Sequence, residues 1–218
     1  IVLFGGVNGP TTFADTWRWD GSDWASANSP ISPSPRSASS IVYDTSIARC
    51  LLFGGWDGSS SLNDTWTFDG TTWSGVPAAA ASTFGVGCPG SNGTPVLAPL
   101  NLPALGANFL VQASNLPTAG STLNIGFFGF SRTSWGFIPL PYDLSPQGMP
   151  GCSMLVSPPP PGVILGSSSA AGQCVWSQPL PLAPFLVGTE LYFQALIPDP
   201  LAGNPLGAIV TNGLMARI

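Results

Sequence analysis

An all-β chain in two parts is predicted by three observations. A motif in residues 1–28 recurs in register 49 residues later over 50–77. The remainder alternates β-branched and aromatic residues between closely spaced Pro, Gly and Asn breaks. No segment holds a 3.6-residue apolar period without a proline inside it. A period near 50, with an apolar strand, a Gly-Gly step and spaced aromatics, is the pattern of a β-propeller blade.

The repeat aligns Leu3-Phe4-Gly5-Gly6 with Leu52-Phe53-Gly54-Gly55 and Asp15-Thr16-Trp17 with Asp64-Thr65-Trp66. It also aligns Asp20-Gly21 with Asp69-Gly70, and Trp24 with Trp73. In the second copy, strands are expected at 39–44, 48–55, 64–69 and 71–74, with a loop over 56–63. Asp20-Gly21 and Asp69-Gly70 supply the positive φ that a tight hairpin needs. Gly54-Gly55 permits a close backbone approach where a side chain would not fit. The first copy lacks its opening strand.

The order of apolar strand, Gly-Gly, variable loop, Asp-x-Trp-x-aromatic-Asp and final Trp resembles the kelch repeat. The resemblance implies a partial kelch-like propeller over residues 1–76. Gly5, Gly6, Trp17, Trp24, Gly54, Gly55, Trp66 and Trp73 would then be structural positions of the blades. Closed propellers use about four to eight blades and about two are present here, so edges stay open. Either further chain or neighbouring copies would complete the ring. Because the chain opens on Ile1 inside a repeat, it reads as a processed or partial piece of a longer precursor.

Residues 77–83, Pro followed by Ala and Ser, read as a short joint. Beyond it, residues 84–218 read as an antiparallel β-sandwich or jelly-roll-like domain. Strands are expected at 108–114, 122–130, 137–143, 152–157, 162–167, 173–179, 190–197 and 208–217, a spacing of about 10–15 residues. Pro158–Pro161 reads as a rigid connector. The segments 84–91, 140–144, 148–152 and 191–194 (Phe-Gly-Val-Gly-Cys-Pro-Gly-Ser, Leu-Pro-Tyr-Asp-Leu, Gly-Met-Pro-Gly-Cys and Leu-Tyr-Phe-Gln) resemble a C-terminal module of large secreted proteins from planctomycete-like bacteria. That resemblance implies export. It also puts Cys88 and Cys152 at the module's paired-cysteine positions, where they form a disulfide or stand as two separate thiols. Cys50 and Cys174 are either buried thiols or a second bridge.

Composition removes several function classes. Only 7% of residues are charged and the net charge is −5, with five scattered arginines; nucleic acid needs clustered positive charge. With no lysine and no histidine, Schiff-base chemistry and the commonest general base are missing. No catalytic constellation, cofactor motif or metal-ligand spacing stands out, so the chain reads as a non-enzyme without cofactor. The uncharged stretches 91–131 and 144–189 are too interrupted to span a bilayer. Asp57, Asn63 and Asp64 share a loop that suits calcium, but Asp64 and Asp69 recur with the repeat and read as residues serving turns and backbone amides.

Two functional expectations result. The first is a secreted or cell-surface structural protein that associates with other copies of itself into an extracellular assembly, a closed oligomer or a filament, because the blades do not close and little charge opposes contact. The second is a binding module in which Trp56, Asp57 and Trp19 take a glycan or protein. Trp56 and Trp19 are not tryptophan in the other repeat, so blade packing does not account for them.

Overall fold

A computed structural model describes residues 1–118, 123–157, 163–167 and 171–218. The expected connector at 158–161, and positions 122 and 162 that open two expected strands, lie outside the described residues. The fold is all-β and its sheets are antiparallel; the only helical pieces among the described residues are two three-residue 3-10 turns. The chain divides into two units, Ile1–Ala78 and Ala79–Ile218.

The first unit holds two sheets. One is β1 (Val2–Asn8), β2 (Thr11–Trp19) and β3 (Trp24–Ser26). The other is β4 (Ser40–Asp44), β5 (Arg49–Trp56), β6 (Ser61–Phe68) and β7 (Trp73–Val76), paired in chain order. The repeat is reproduced in register. Leu3 lies opposite Trp17 as Leu52 lies opposite Trp66, and both sheets bulge at the Gly-Gly step. Gly5 and Gly54 have φ of 63° and 62°, a left-handed backbone that glycine adopts at little cost. The hairpin after β5 is shorter than the expected loop at 56–63. Asp57 Oδ1 accepts from the backbone N–H groups of Ser59 and Ser60, an Asx-type turn that lets pairing run on to Trp56 and Ser61.

The two sheets meet through unlike faces. From the first come Phe4, Ala14 and Thr16; from the second come Leu52, Trp66, Phe68 and Trp73. The Trp73 ring packs edge-on to Phe4 with centroids 5.2 Å apart and lies 4.8 Å from Phe68. Its Nε1 donates to Thr16 Oγ1 at 2.8 Å, which satisfies the indole's only donor inside the core.

The second unit begins earlier than its sequence suggests. Residues 80–83, assigned above to the joint, belong to β8 (Ala80–Phe84). An alanine-rich run shows no alternation, but its small side chains let it pair along a neighbouring strand. The other strands are β9 (Val96–Pro99), β10 (Asn108–Ser114), β11 (Leu123–Gly129), β12 (Ser134–Trp135), β13 (Ile138–Pro139), β14 (Tyr142–Asp143) and β15 (Ser153–Met154). They are followed by β16 (Val163–Ser167), β17 (Cys174–Pro179), β18 (Glu190–Pro198), β19 (Ala208–Val210) and β20 (Gly213–Arg217). A three-stranded sheet, β17-β10-β9, accompanies a larger one ordered β16-β11-β18-β20-β8, with β19 also on β18. Their inner faces form a sandwich-like core in which Phe109, Val111 and Trp176 join Leu191, Phe193 and Leu214.

Three expected strands differ in detail. The stretch 137–143 splits into two-residue pieces, β13 folding back on β12 and β14 on β15. Only Ser153 and Met154 of 152–157 are strand. The run 208–217 breaks at Thr211-Asn212, whose side chains turn inward. Asn212 Oδ1 accepts from Leu97 N at 2.7 Å and its Nδ2 donates to Leu97 O at 3.1 Å. Gln194, also buried, accepts from Leu155 N and donates to Ser153 O and Thr211 O. Such satisfied polar groups pin neighbouring segments together.

Cys88 and Cys152 are joined by a disulfide across a sequence separation of 64. Closing a loop of that length stabilises the fold by roughly 4 kcal/mol through the entropy of the unfolded chain. Cys50 and Cys174 are free thiols, and burial pushes the pKa of each above the usual thiol value.

Candidate functional site

The first unit gathers most of the chemistry into a repeated device. In each sheet the Asp-x-Trp motif places a carboxylate and an indole on the same face of one strand, two residues apart. Trp17 Nε1 donates to Asp15 Oδ2 at 2.6 Å, and Trp66 Nε1 donates to Asp64 Oδ2 at 2.7 Å. The two copies then diverge. Asp64 receives the fully buried Arg36 guanidinium, with Nη1 to Oδ1 at 2.6 Å and Nη2 to Oδ2 at 2.9 Å. Arg36 Nη1 also donates to Gly54 O at 3.0 Å. This bidentate pair and the indole hold the Asp64 carboxyl down to a pKa of about 2. Asp15, by contrast, is exposed.

Arg36 lies in the connection between the sheets and fastens both. Its backbone N–H donates to Phe13 O at 2.9 Å and its carbonyl accepts from Gly6 N at 2.8 Å. Its side chain reaches β5 and β6. Sequence reasoning missed this residue, counting it only as one of five scattered arginines. The available signal was an arginine isolated in a Ser-Pro run just ahead of a strand.

Burial separates the repeats further. Leu52 and Trp73 are fully buried, whereas their counterparts Leu3 and Trp24 are 45% and 40% exposed. On the opposite faces the order reverses: Phe4 is 9% exposed and Phe53 is 56% exposed. Each sheet therefore buries one face and shows the face that its neighbour buries. Beside the start of β1 lies an apolar cleft of about 470 Å³, lined by Ile1 and Val2 together with Ile41, Val42 and Tyr43 of β4.

The residues expected to form a recognition surface are not brought together. Trp19 ends β2 near the Asp20 turn, where Ile1 N donates to its carbonyl, and its ring packs on Trp24. Trp56 ends β5 at the opposite end of its sheet, beside Asp57. Cross-sheet contacts show the same separation, with Thr12 Oγ1 bonded to Asp57 O and Arg18 Nη1 to Gly70 O. Trp56 is exposed, but Asp57 is committed to its own turn. Its carboxyl accepts from both the backbone and hydroxyl groups of Ser59 and Ser60, which pushes its pKa far below the usual range.

The other carboxylates are similarly engaged. Asp20 and Asp69 each accept two backbone N–H groups and a hydroxyl, which lowers both pKa values to about 2. In the second unit Asp143 caps the turn at Ser145, and buried Asp199 accepts from Ser91 N and Leu201 N. Glu190 accepts from Tyr192 Oη and from Arg217. Arg132 lies over the Phe84 and Tyr192 rings. Among the described residues, no three Cys, Asp or Glu side chains gather where they could hold a metal ion, and no helix is long and apolar enough to cross a membrane.

No protein-family model and no curated protein matches this chain.

Proposed function

We propose that this chain is a non-catalytic extracellular structural protein that associates with further copies of itself. In this reading the first unit supplies two blades of a kelch-like propeller, and the second is a module of the kind carried by secreted planctomycete-like proteins. One observation carries the proposal: the pair of unlike faces packed together inside the first unit is exposed a second time on its two outer sides.

Against a neighbouring copy, Trp24 meets Phe53 and Thr65 as Trp73 meets Phe4 and Thr16 internally. Such a contact is heterologous, so it closes into a ring or continues as a filament according to the rotation per step. Sparse charge opposes it little. The disulfide fits an oxidising compartment, and carboxylates committed to turns and ion pairs fit a structural role. Glycan binding is not favoured, because Trp19 and Trp56 stand at opposite strand ends and the Asp57 carboxyl is taken.

The test is light scattering after size exclusion, with negative-stain microscopy of the same material. Rings or polymers that Trp24→Asp or Phe53→Asp disperses are the expected outcome. Single copies at every concentration tried would overturn the reading.

A further inference from the structure

The second unit carries one hairpin whose side chains the fold does not explain. β12 and β13 pair Ser134 with Pro139 and Trp135 with Ile138, and the two-residue loop Gly136-Phe137 closes them. Gly136 takes a φ of 59° and Phe137 a negative one, the type II′ pattern, which requires glycine only in its first place. Turn positions are ordinarily filled by Asn, Asp, Ser or Gly. Here the apex is a fully exposed phenylalanine, with Trp135 and Ile138 exposed behind it and Phe130 exposed a few residues earlier. None of the four joins a core cluster of the described residues.

We propose that the tip Trp135-Gly136-Phe137-Ile138 inserts into the surface of a phospholipid bilayer, with Arg132 on the headgroup phosphates.

Three features favour a lipid surface over a protein groove. Residues 133–141 hold no charged side chain, so no charge enters hydrocarbon with the tip. The hairpin backbone is already paired: beyond the ladder, Leu140 N donates to Thr133 O at 3.0 Å. At the base, Ser131 Oγ accepts from the N–H groups of Thr133 and Ser134. Hydrocarbon cannot supply missing hydrogen bonds, whereas a wet protein interface can. The third feature is Arg132, exposed just ahead of the hairpin, with its guanidinium 5.6 Å from the Phe84 ring centroid and 5.9 Å from that of Tyr192.

Among the described residues Arg132 makes no ion pair. Glu190, the carboxylate that feels its charge, is held by Tyr192 Oη and Arg217. A guanidinium stacked on rings with its fork free suits phosphate oxygens. Trp135 belongs at the same depth, where an indole sits between hydrocarbon and water. A convex tip needs a matching cavity in a protein partner but none in a fluid bilayer. Because the chain carries −5, zwitterionic phosphatidylcholine suits it better than an anionic lipid. The inference does not rest on the self-association proposed above; it concerns a hairpin of the second unit.

The test is flotation of the full chain with phosphatidylcholine vesicles in a density gradient, where lipid-bound protein rises and protein polymers sink. Half the chain is expected to float at about 1 mM lipid. Phe137→Ser and Trp135→Ser should each raise that concentration about tenfold, and Arg132→Gln about threefold. Leu201→Ser, which removes another exposed apolar side chain of the second unit, should leave it unchanged. Phe137 is fully exposed, so its substitution leaves the fold intact, which far-UV circular dichroism checks. No flotation up to about 10 mM lipid, flotation indifferent to both Phe137 and Trp135, or an equal loss with Leu201→Ser would each overturn the proposal. So would a dimer that forms through Phe137 without any flotation, which would give the tip to a second copy. Single copies that float refute self-association and retain the membrane tip, whereas polymers that only sink do the reverse.

Discussion

The sheets β1–β3 and β4–β7 carry the same motif, yet they hold different places in the energetics of the first unit. Both contain a Gly-Gly bulge, an Asp-Trp pair and an Asp-Gly hairpin. In one, the leucine and the final tryptophan are fully buried and the aspartate holds a buried arginine; in the other, the same three are exposed and, among the described residues, the aspartate has no arginine on it. A repeat therefore specifies local geometry twice, while burial is conferred by whatever lies against it. The same residue type at equivalent positions should then tolerate change very differently.

The largest contrast is expected at the final tryptophan of each motif. Trp73→Ala removes a fully buried ring and strands Thr16 Oγ1, and should cost about 3–5 kcal/mol. Trp24→Ala should cost under about 1 kcal/mol in the isolated chain. Urea denaturation of the two variants measures both; equal losses would break the comparison. Next comes the carboxylate. Asp64→Asn leaves the Arg36 charge buried with only part of its bonding, for a loss of about 2–3 kcal/mol after allowing for Asp64's partial exposure. Asp15→Asn should fall within about 0.5 kcal/mol of the wild type.

Glycine gives a smaller, sharper difference. Alanine at Gly5 or Gly54 must adopt positive φ, at about 1–2 kcal/mol. At Gly5 its Cβ would also stand 2.4 Å from Arg36 O, the atom that bonds Gly6 N. At Gly54 the nearest atom is Leu62 O, at 3.1 Å. Gly5→Ala should therefore be the worse by about 1 kcal/mol, read as a lower thermal midpoint.

The smallest effect is on pH. The Asp20, Asp64 and Asp69 carboxyls are held at about 2, below their ordinary 3.8. A folded-state pKa lower than the unfolded one adds stability that is complete above about pH 4 and is lost as pH falls towards 2. The midpoint of urea unfolding should thus be flat from neutrality to about pH 4 and then decline. Asp64→Asn should flatten that decline.

Much of the fold was legible because its signals are local. The repeat located β4 to β7 to within a few residues, and β10 matches its expected bounds, since alternating side chains and Asp-Gly turns act over a few positions. What was illegible depends on distant partners. The alanine run that became β8 had no alternation to show; it is a strand because Ala80 to Phe84 pair with Arg217 to Gly213. Asn212 interrupts an otherwise continuous strand to bond Leu97, 115 residues away. In the candidate site the motif residues were apparent, but Arg36 was not, because nothing near it in sequence announces an acceptor 28 residues on.

The amino-acid sequence by itself determined an all-β chain, two strand sets built on one motif and turns closed by aspartate, because these rest on backbone preferences and hydrogen bonds spanning two or three residues. Tertiary structure alone decided which face of each sheet is buried, that Cys50 and Cys174 stay free rather than bridged, and that Asp64 rather than Asp15 holds an arginine. Those choices follow from which surfaces come within a few ångströms of one another, and two copies of one motif cannot both occupy the same side of the same contact.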